Sequence, residues 1–475
     1  MNRLLLVLIA MVMMTNFGCT TKTEESMETV VQPASPIILE GYWEGDLAVQ
    51  EQITLKLGFS ITRSQQGYTA KLSVPQQGIK DLPIASTEYD SETRFITFTI
   101  DTLQAVFSGT IETSTEPTIT GTFEQSGMAL PLILHKLESV PEIAARMQDP
   151  KPPYPYISED VVFLQKIEGF ELAGTITRPK ENGRYPAVIL ISGSGQQDRD
   201  EAIMGHRPFL VLADALTRAG IVVLRYDDRG VGSSKGTLDT ATSLDFADDA
   251  ESALEYLTSL PFVDHERLGI IGHSEGGLIA PIIASRNSQV DFIVLMAAPG
   301  VDGIRVLEDQ SAALLRAQGA PEAAIQQIVA LNKQIYTIII DESLPVEQRK
   351  AQVSQLLSLT GMTPEAIQNQ LSALFSPWYM AFLTIDPAPY LSKVDIPTLI
   401  LNGSKDTQVT ASLNVPTIET ILKESGNTEY TTKIYEGLNH LFQPATTGSV
   451  DEYASIETTI DPMVLEDIAE WIVNR

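Results

Sequence analysis

The chain has 475 residues, 43% hydrophobic and 20% charged, which supplies more than one folded core and leaves disorder as the wrong default. Its formal net charge of −29 argues against nucleic acid and anionic membrane surfaces as partners and otherwise serves solubility. A single cysteine excludes intrachain disulfides and any cysteine-based zinc site.

At the N-terminus, Arg3 precedes an apolar run, residues 4–14, too short to span a bilayer as a mature helix. It leads into Thr15-Asn16-Phe17-Gly18-Cys19. This resembles a bacterial lipoprotein signal, in which the cysteine becomes the lipidated first residue, although Asn16 stands where that pattern prefers a leucine-like residue. An ordinary signal peptide with an incidental cysteine is the other reading. Both imply export; the first implies a cell-envelope protein anchored by a lipid on Cys19. Residues 20–37 are polar and read as a tether.

Residues 38–137 carry short alternating runs, such as Ile53-Thr54-Leu55-Lys56-Leu57 and Phe95-Ile96-Thr97-Phe98-Thr99-Ile100. About eight of them at near-ten-residue spacing predict a small antiparallel barrel or sandwich. No charged or histidine cluster marks a site there, so a structural or positioning module is expected, with ligand storage the alternative. Residues 138–160, proline-rich at Pro150-Lys151-Pro152-Pro153-Tyr154-Pro155, read as an extended linker.

Residues 161–475 alternate strands and helices. Runs 161–167 and 172–177 predict a hairpin, and six further apolar runs from Ala187 to Tyr435 predict strands buried on both faces. An α/β fold follows, with an eight-stranded, mostly parallel sheet. Segments 207–219 and 245–259 have helical spacing, with Asp214 and Arg218 as a surface pair. Residues 303–389 interrupt the alternation. They are rich in Ala, Gln, Leu and Glu, with helix starts at Pro321 and Pro364, and predict a cap of about four helices between the sixth and seventh strands.

After the fifth strand comes Gly272-His273-Ser274-Glu275-Gly276, a G-x-S-x-G pentapeptide between an apolar run and a helix-like segment. A serine at such a strand–turn–helix junction sits on a strained turn that lifts its hydroxyl off the sheet, so Ser274 reads as a nucleophile. This order of elements, together with Ser192-Gly193-Ser194-Gly195-Gln196-Gln197-Asp198-Arg199-Asp200 and Tyr226-Asp227-Asp228-Arg229-Gly230-Val231-Gly232, resembles the α/β-hydrolase superfamily. Within it the chain looks like the secreted bacterial carboxylesterases related to prolyl aminopeptidase-like hydrolases. The resemblance covers about residues 160–475.

In that fold the triad runs Ser, acid, His. Of five histidines, His135 lies in the β domain, His206 and His265 precede the serine, and His273 sits inside the elbow, its side chain expected to turn away from Ser274. His440 is left as the base. Asp406, just past the seventh strand, reads as the orienting carboxylate; Asp395 lies at the wrong end of that strand and Asp386 in the cap. The backbone N–H groups of Glu275 and Ser194 are the expected oxyanion donors, although the loop lacks the His-Gly pair of many relatives.

Gly193, Asp198 and Arg199 are candidates for the substrate pocket. For Asp198, Arg199 and Asp200 an ion pair pinning the loop is an equal reading. Asp228 and Arg229 are expected to brace the turn after the fourth strand. Trp378 and Phe382 could line an acyl pocket or pack a helix face. The implied activity is hydrolysis of short- or medium-chain carboxylic esters, with a small-molecule substrate and neither metal nor organic cofactor. A peptidase is the alternative, with Glu308, Asp309, Asp341 or Glu342 holding a substrate amino terminus. An inert surface binding protein is the second alternative, which the complete Ser, Asp, His set disfavours.

Overall fold

The computed structural model describes residues 39–475 apart from 51–52, 65–66, 75–78, 104, 113–115, 126–127 and 138–145; the expected signal, Cys19 and the tether lie outside the described residues. The chain divides into two compact units, Met1–Ala144 with Leu357–Asn369, and Ala145–Leu356 with Gln370–Arg475.

The first unit contains β1 (Gly41–Gln50), β2 (Ile53–Ser64), β3 (Gly67–Val74), β4 (Ile79–Pro83), β5 (Ser86–Asp90), β6 (Phe95–Ile100), β7 (Ala105–Glu112), β8 (Thr118–Gln125) and β9 (Met128–Leu137). They form one antiparallel sheet in the order β4-β3-β2-β1-β9-β8-β7-β6-β5. Alternation sets its inner face: Ile96, Phe98 and Ile100 of β6 are buried, as are Phe107 and Ile111 of β7. In this order β2 and β6 stand five places apart, roughly 24 Å in a flat sheet. Yet Phe59 and Phe98 stack with ring centroids 4.8 Å apart, and Tyr68 meets Tyr89 edge-on at 5.8 Å. The sheet therefore curls into a half-barrel, where a barrel or a two-sheet sandwich was expected. The β4–β5 connector helps to close it, Ile84 N donating to Ala70 O at 3.0 Å and Ala85 N to Thr99 O at 2.9 Å. Trp43, Phe59, Phe98 and Phe107 fill the interior and are fully buried, each worth roughly 1.5–3 kcal/mol of burial.

The second unit opens with β10 (Ile157–Leu164), β11 (Glu171–Arg178) and β12 (Tyr185–Ile191), followed by α1 (Pro208–Arg218), β13 (Val222–Tyr226), α2 (Ser243–Thr258), β14 (Val263–His273), α3 (Glu275–Ala284) and β15 (Phe292–Met296). Six helices come next along the chain, the end of α6 and the first part of α7 falling in Leu357–Asn369: α4 (Gly303–Ala317), α5 (Glu322–Ile340), α6 (Val346–Ser358), α7 (Pro364–Leu374), α8 (Pro377–Thr384) and α9 (Ala388–Leu391). The unit ends with β16 (Thr398–Gly403), α10 (Ala411–Glu424), β17 (Tyr430–Tyr435) and α11 (Pro462–Val473).

The sheet order is β10-β11-β13-β12-β14-β15-β16-β17. It is a mixed sheet, where a mostly parallel one was expected: β13 through β17 run parallel, while β11 pairs antiparallel with both β10 and β13. The reason is local, since the short β10–β11 connection can only make a hairpin. Every residue of β13 and β15 is buried, as double-sided helix cover requires, whereas the edge strands β10 and β17 are partly exposed.

Two further differences concern segments. The expected linker reaches only to Tyr156, and its last part is fixed to the second unit. Gln148 Nε2 donates to Ile460 O at 2.7 Å, and Asp149 pairs with Arg207 at 2.6 Å. A proline-rich pattern cannot show such distant partners. The insertion has six helices instead of about four, because α8 and α9 are too short to leave a clear period. Among the described residues no helix is long and apolar enough to cross a membrane.

Candidate active site

The turn between β14 and α3 holds Ser274 at φ 55° and ψ −116°, a left-handed conformation that is strained for a serine. The flanking glycines are what let it form. A Cβ on Gly276 would lie 2.0 Å from Ile191 O, and one on Gly272 would lie 2.0 Å from Gly276 O. Ser274 N donates to Met296 O of β15 at 2.9 Å, tying the turn to the sheet. Its neighbours are buried while Ser274 itself stays half-exposed.

Asp406 and His440 come together from the loops after β16 and β17. His440 Nδ1 lies 2.8 Å from Asp406 Oδ2, and the Asp406 side chain is fully buried. The other oxygen, Oδ1, accepts from Gln408 N at 2.8 Å and Val409 N at 2.9 Å, so the carboxylate cannot rotate freely. The His440 loop is folded around Asn439, whose Oδ1 accepts from Leu441 N and Gln443 N. His440 O accepts from His273 Nε2 at 3.0 Å, which anchors the His440 loop to the residue preceding Ser274. Among the described residues the Ser274 hydroxyl and His440 Nε2 are not hydrogen-bonded to each other; such contacts often tighten only when substrate binds.

The loop after β12 carries the expected second oxyanion donor. Its Gly193 N–H is committed to Glu201 Oε1 at 2.7 Å. Asp228 holds this loop from below, accepting from Ser192 Oγ at 3.1 Å and Gln197 N at 3.0 Å. Burial pushes the Asp228 carboxyl well up, with Glu275 and Asp249 nearby adding to the effect. Glu275 opens α3, where no carbonyl four residues back awaits its N–H. Its side chain accepts from Ser243 Oγ at 2.6 Å and from Trp378 Nε1 at 2.8 Å, so α8 of the insertion is tied to the elbow. A small cleft beside the loop is lined by Ser192, Gly193, Tyr226, Asp228, Phe246 and Glu275.

Of the pocket candidates, Gly193 lines that cleft. Arg199 is instead engaged by Asp227 through Nε at 3.0 Å and Nη2 at 2.8 Å, and by Asp160 and Thr175. Asp198 accepts from Asp200 N and Ala202 N within its own loop. Both thus make the contacts of the ion-pair and loop-bracing role, because the carboxylate at 227 and the loop amides claim them first; neither joins the cleft. Asp200 pairs with Arg225. Arg229 grips Asp249 with two bonds of 2.7 Å and braces its turn. Phe382 stacks on Trp378 at 5.1 Å, and both are buried, so the two pack a helix face while Trp378 also reaches Glu275.

Sequence reasoning missed Glu201 and gave His273 no partner. The His273 ring lies against Glu201, with Nδ1 2.8 Å from Oε1. The available signal was the acidic residue ending Asp198-Arg199-Asp200-Glu201; nothing in one dimension links it to position 273. Among the described residues no group of three or more His, Cys, Asp or Glu side chains is arranged to hold a metal ion.

A sheet of this order with a strained serine between its fifth strand and the next helix, and an Asp–His pair on the last two strand ends, defines an α/β-hydrolase. Residues 168–437 match the X-Pro dipeptidyl-peptidase (S15) family, more than half of the chain, and the chain belongs to that family. The match spans Ser274 and Asp406 and stops just before His440. Similar proteins include esterase EstD of Thermotoga maritima, 29% identical over 304 residues, or 64% of this chain and 66% of EstD. Human dipeptidyl peptidase 8 is 27% identical over 168 residues, covering 33% of this chain and 18% of that protein. The chain thus spans just under two thirds of EstD and less than a fifth of the peptidase. Among solved structures, the Pyrococcus furiosus esterase Pf2001 aligns with a TM-score of 0.42 at 17% identity, over 67% of this chain and 91% of that one. The similar proteins are thus named as an esterase and a peptidase.

Proposed function

We propose that this protein is a serine esterase that cleaves carboxylic esters of short or medium acyl chains through an acyl-enzyme on Ser274. The observation that carries the reading is the buried Asp406–His440 hydrogen bond of 2.8 Å, anchored through the His440 carbonyl to the residue before a strained serine. Asp406 fixes the proton on Nδ1, which leaves Nε2 of His440 as the base that takes the Ser274 proton. The serine attacks the ester carbonyl, and the N–H groups of Ser194 and Glu275 receive the developing oxyanion. His440 then gives its proton to the leaving alkoxide. Water, deprotonated by the same imidazole, attacks the acyl-enzyme and releases the acid.

Likeness to EstD supports an ester substrate. So does the placement of two of the insertion's acids: Asp309 accepts from Thr410 and Asp341 from Ser343, so each already holds a donor of its own. The family match favours the second reading, a peptidase of short peptides. Export and membrane attachment through a lipid on Cys19 are part of the same proposal, supported by the leader sequence alone.

Hydrolysis of p-nitrophenyl acetate and butyrate, compared with aminoacyl and dipeptidyl p-nitroanilides, separates the readings. Esters should be preferred, and Ser274→Ala should lose roughly 10⁴- to 10⁶-fold in turnover. Equal rates in both forms would remove Ser274 from its role, and a preference for the anilides would establish the peptidase.

A further inference from the structure

His273 is buried and bonded through both ring nitrogens, and the reaction above uses neither. Nε2 faces the carbonyl oxygen of His440 at 3.0 Å, and a carbonyl only accepts, so Nε2 carries a proton. Nδ1 faces Glu201 Oε1 at 2.8 Å, an oxygen that already accepts the Gly193 N–H at 2.7 Å. A carboxylate there requires a proton on Nδ1 as well, which makes the ring an imidazolium. Glu201 reaches this position from a left-handed backbone, φ 52°, a conformation kept only where surrounding contacts enforce it.

We propose that His273 and Glu201 form a buried charged clamp that positions three loops of the site: the oxyanion loop through Gly193, the base loop through the His440 carbonyl, and the elbow through the chain itself. The proposal rests on the esterase reading for its kinetic consequence and on geometry alone for the clamp. Both are positioning residues, since neither touches the serine hydroxyl or the acyl group. The groups facing the His273 ring are Glu201 from the loop after β12, His440 from the loop after β17 at 4.8 Å between ring centroids, and Asp406 from the loop after β16. Burial opposes a charge on His273. The charge and hydrogen bond of Glu201 and the His440 carbonyl outweigh it and hold the imidazolium above its usual range. A clamp of this kind fixes donor and base relative to Ser274 before substrate arrives, where displacement by about 1 Å costs up to 10²-fold in rate.

The test uses the full chain with ¹⁵N-labelled histidine, whose resonances are few because the sequence has five histidines. The resonance lost in His273→Gln should titrate higher than a free histidine in the wild type, and its midpoint should fall in Glu201→Gln, which keeps the shape and an acceptor for Gly193 but removes the charge. A midpoint unmoved or raised in Glu201→Gln would overturn the clamp, whatever the enzyme hydrolyses. Kinetically, His273→Leu should lower kcat roughly tenfold to 10²-fold with KM little changed. His273→Gln, which retains a donor for the His440 carbonyl, should recover part of that loss. Wild-type kcat in His273→Leu, or equal losses in the two variants, would overturn the positioning role.

Discussion

Replacing Asp406 by asparagine tests the proposed mechanism at one atom. Oδ1 of Asp406 accepts two backbone N–H groups, from Gln408 and Val409, at 2.8 and 2.9 Å. An asparagine must keep its amide oxygen there, because the flipped amide would set N–H against N–H twice, at about 1–3 kcal/mol for each group left unsatisfied. The amide nitrogen then occupies the Oδ2 position, 2.8 Å from His440 Nδ1. It donates to that nitrogen and forces the ring proton onto Nε2, where the base needs a lone pair. On the serine-protease precedent of a wrong tautomer the loss is about 10⁴ in kcat, or roughly 5.5 kcal/mol. The assay is p-nitrophenyl butyrate hydrolysis at saturation, with a thermal unfolding curve to show that Asp406→Asn remains folded. A folded variant retaining a tenth or more of wild-type kcat would refute the reasoning.

Three other outcomes are expected. Gly276→Ala places a Cβ 2.0 Å from Ile191 O; the elbow cannot form, and a loss above about 4 kcal/mol should appear as insoluble or unfolded protein. Trp378→Phe keeps the stack on Phe382 but removes the bond to Glu275; denaturant unfolding should show a loss of about 1–3 kcal/mol, with kcat reduced more than KM is raised. Two of the buried histidines, His273 and His206, give opposite pH dependences around their common usual value of 6.5. His273 is held above it, so its stabilisation is full below that value and is lost as pH rises through the folded one; His206 is pushed below it by burial, so stability is lost as pH falls beneath 6.5. Urea midpoints across pH should lose their alkaline decline in His273→Gln and part of their acid decline in His206→Gln.

The sequence alone determined the elements and their order, because local physics writes them. Apolar runs such as Phe292–Met296 mark strands covered on both faces, prolines at 321 and 364 mark helix starts, and only glycine fits at 272 and 276. It also placed Ser274, Asp406 and His440 past the ends of the fifth, seventh and eighth strands, in the order this fold uses. Tertiary structure decided whatever depends on which side chain meets which across hundreds of residues. The curl of the first sheet, the docking of residues 146–149, and the turning of Arg199 to Asp227 are of this kind. So is the Glu201–His273 pair, separated by 72 positions in the chain and 2.8 Å in space. A one-dimensional pattern records how each residue suits its own strand or helix; a buried charge is assigned only when folding brings the one partner that can neutralise it.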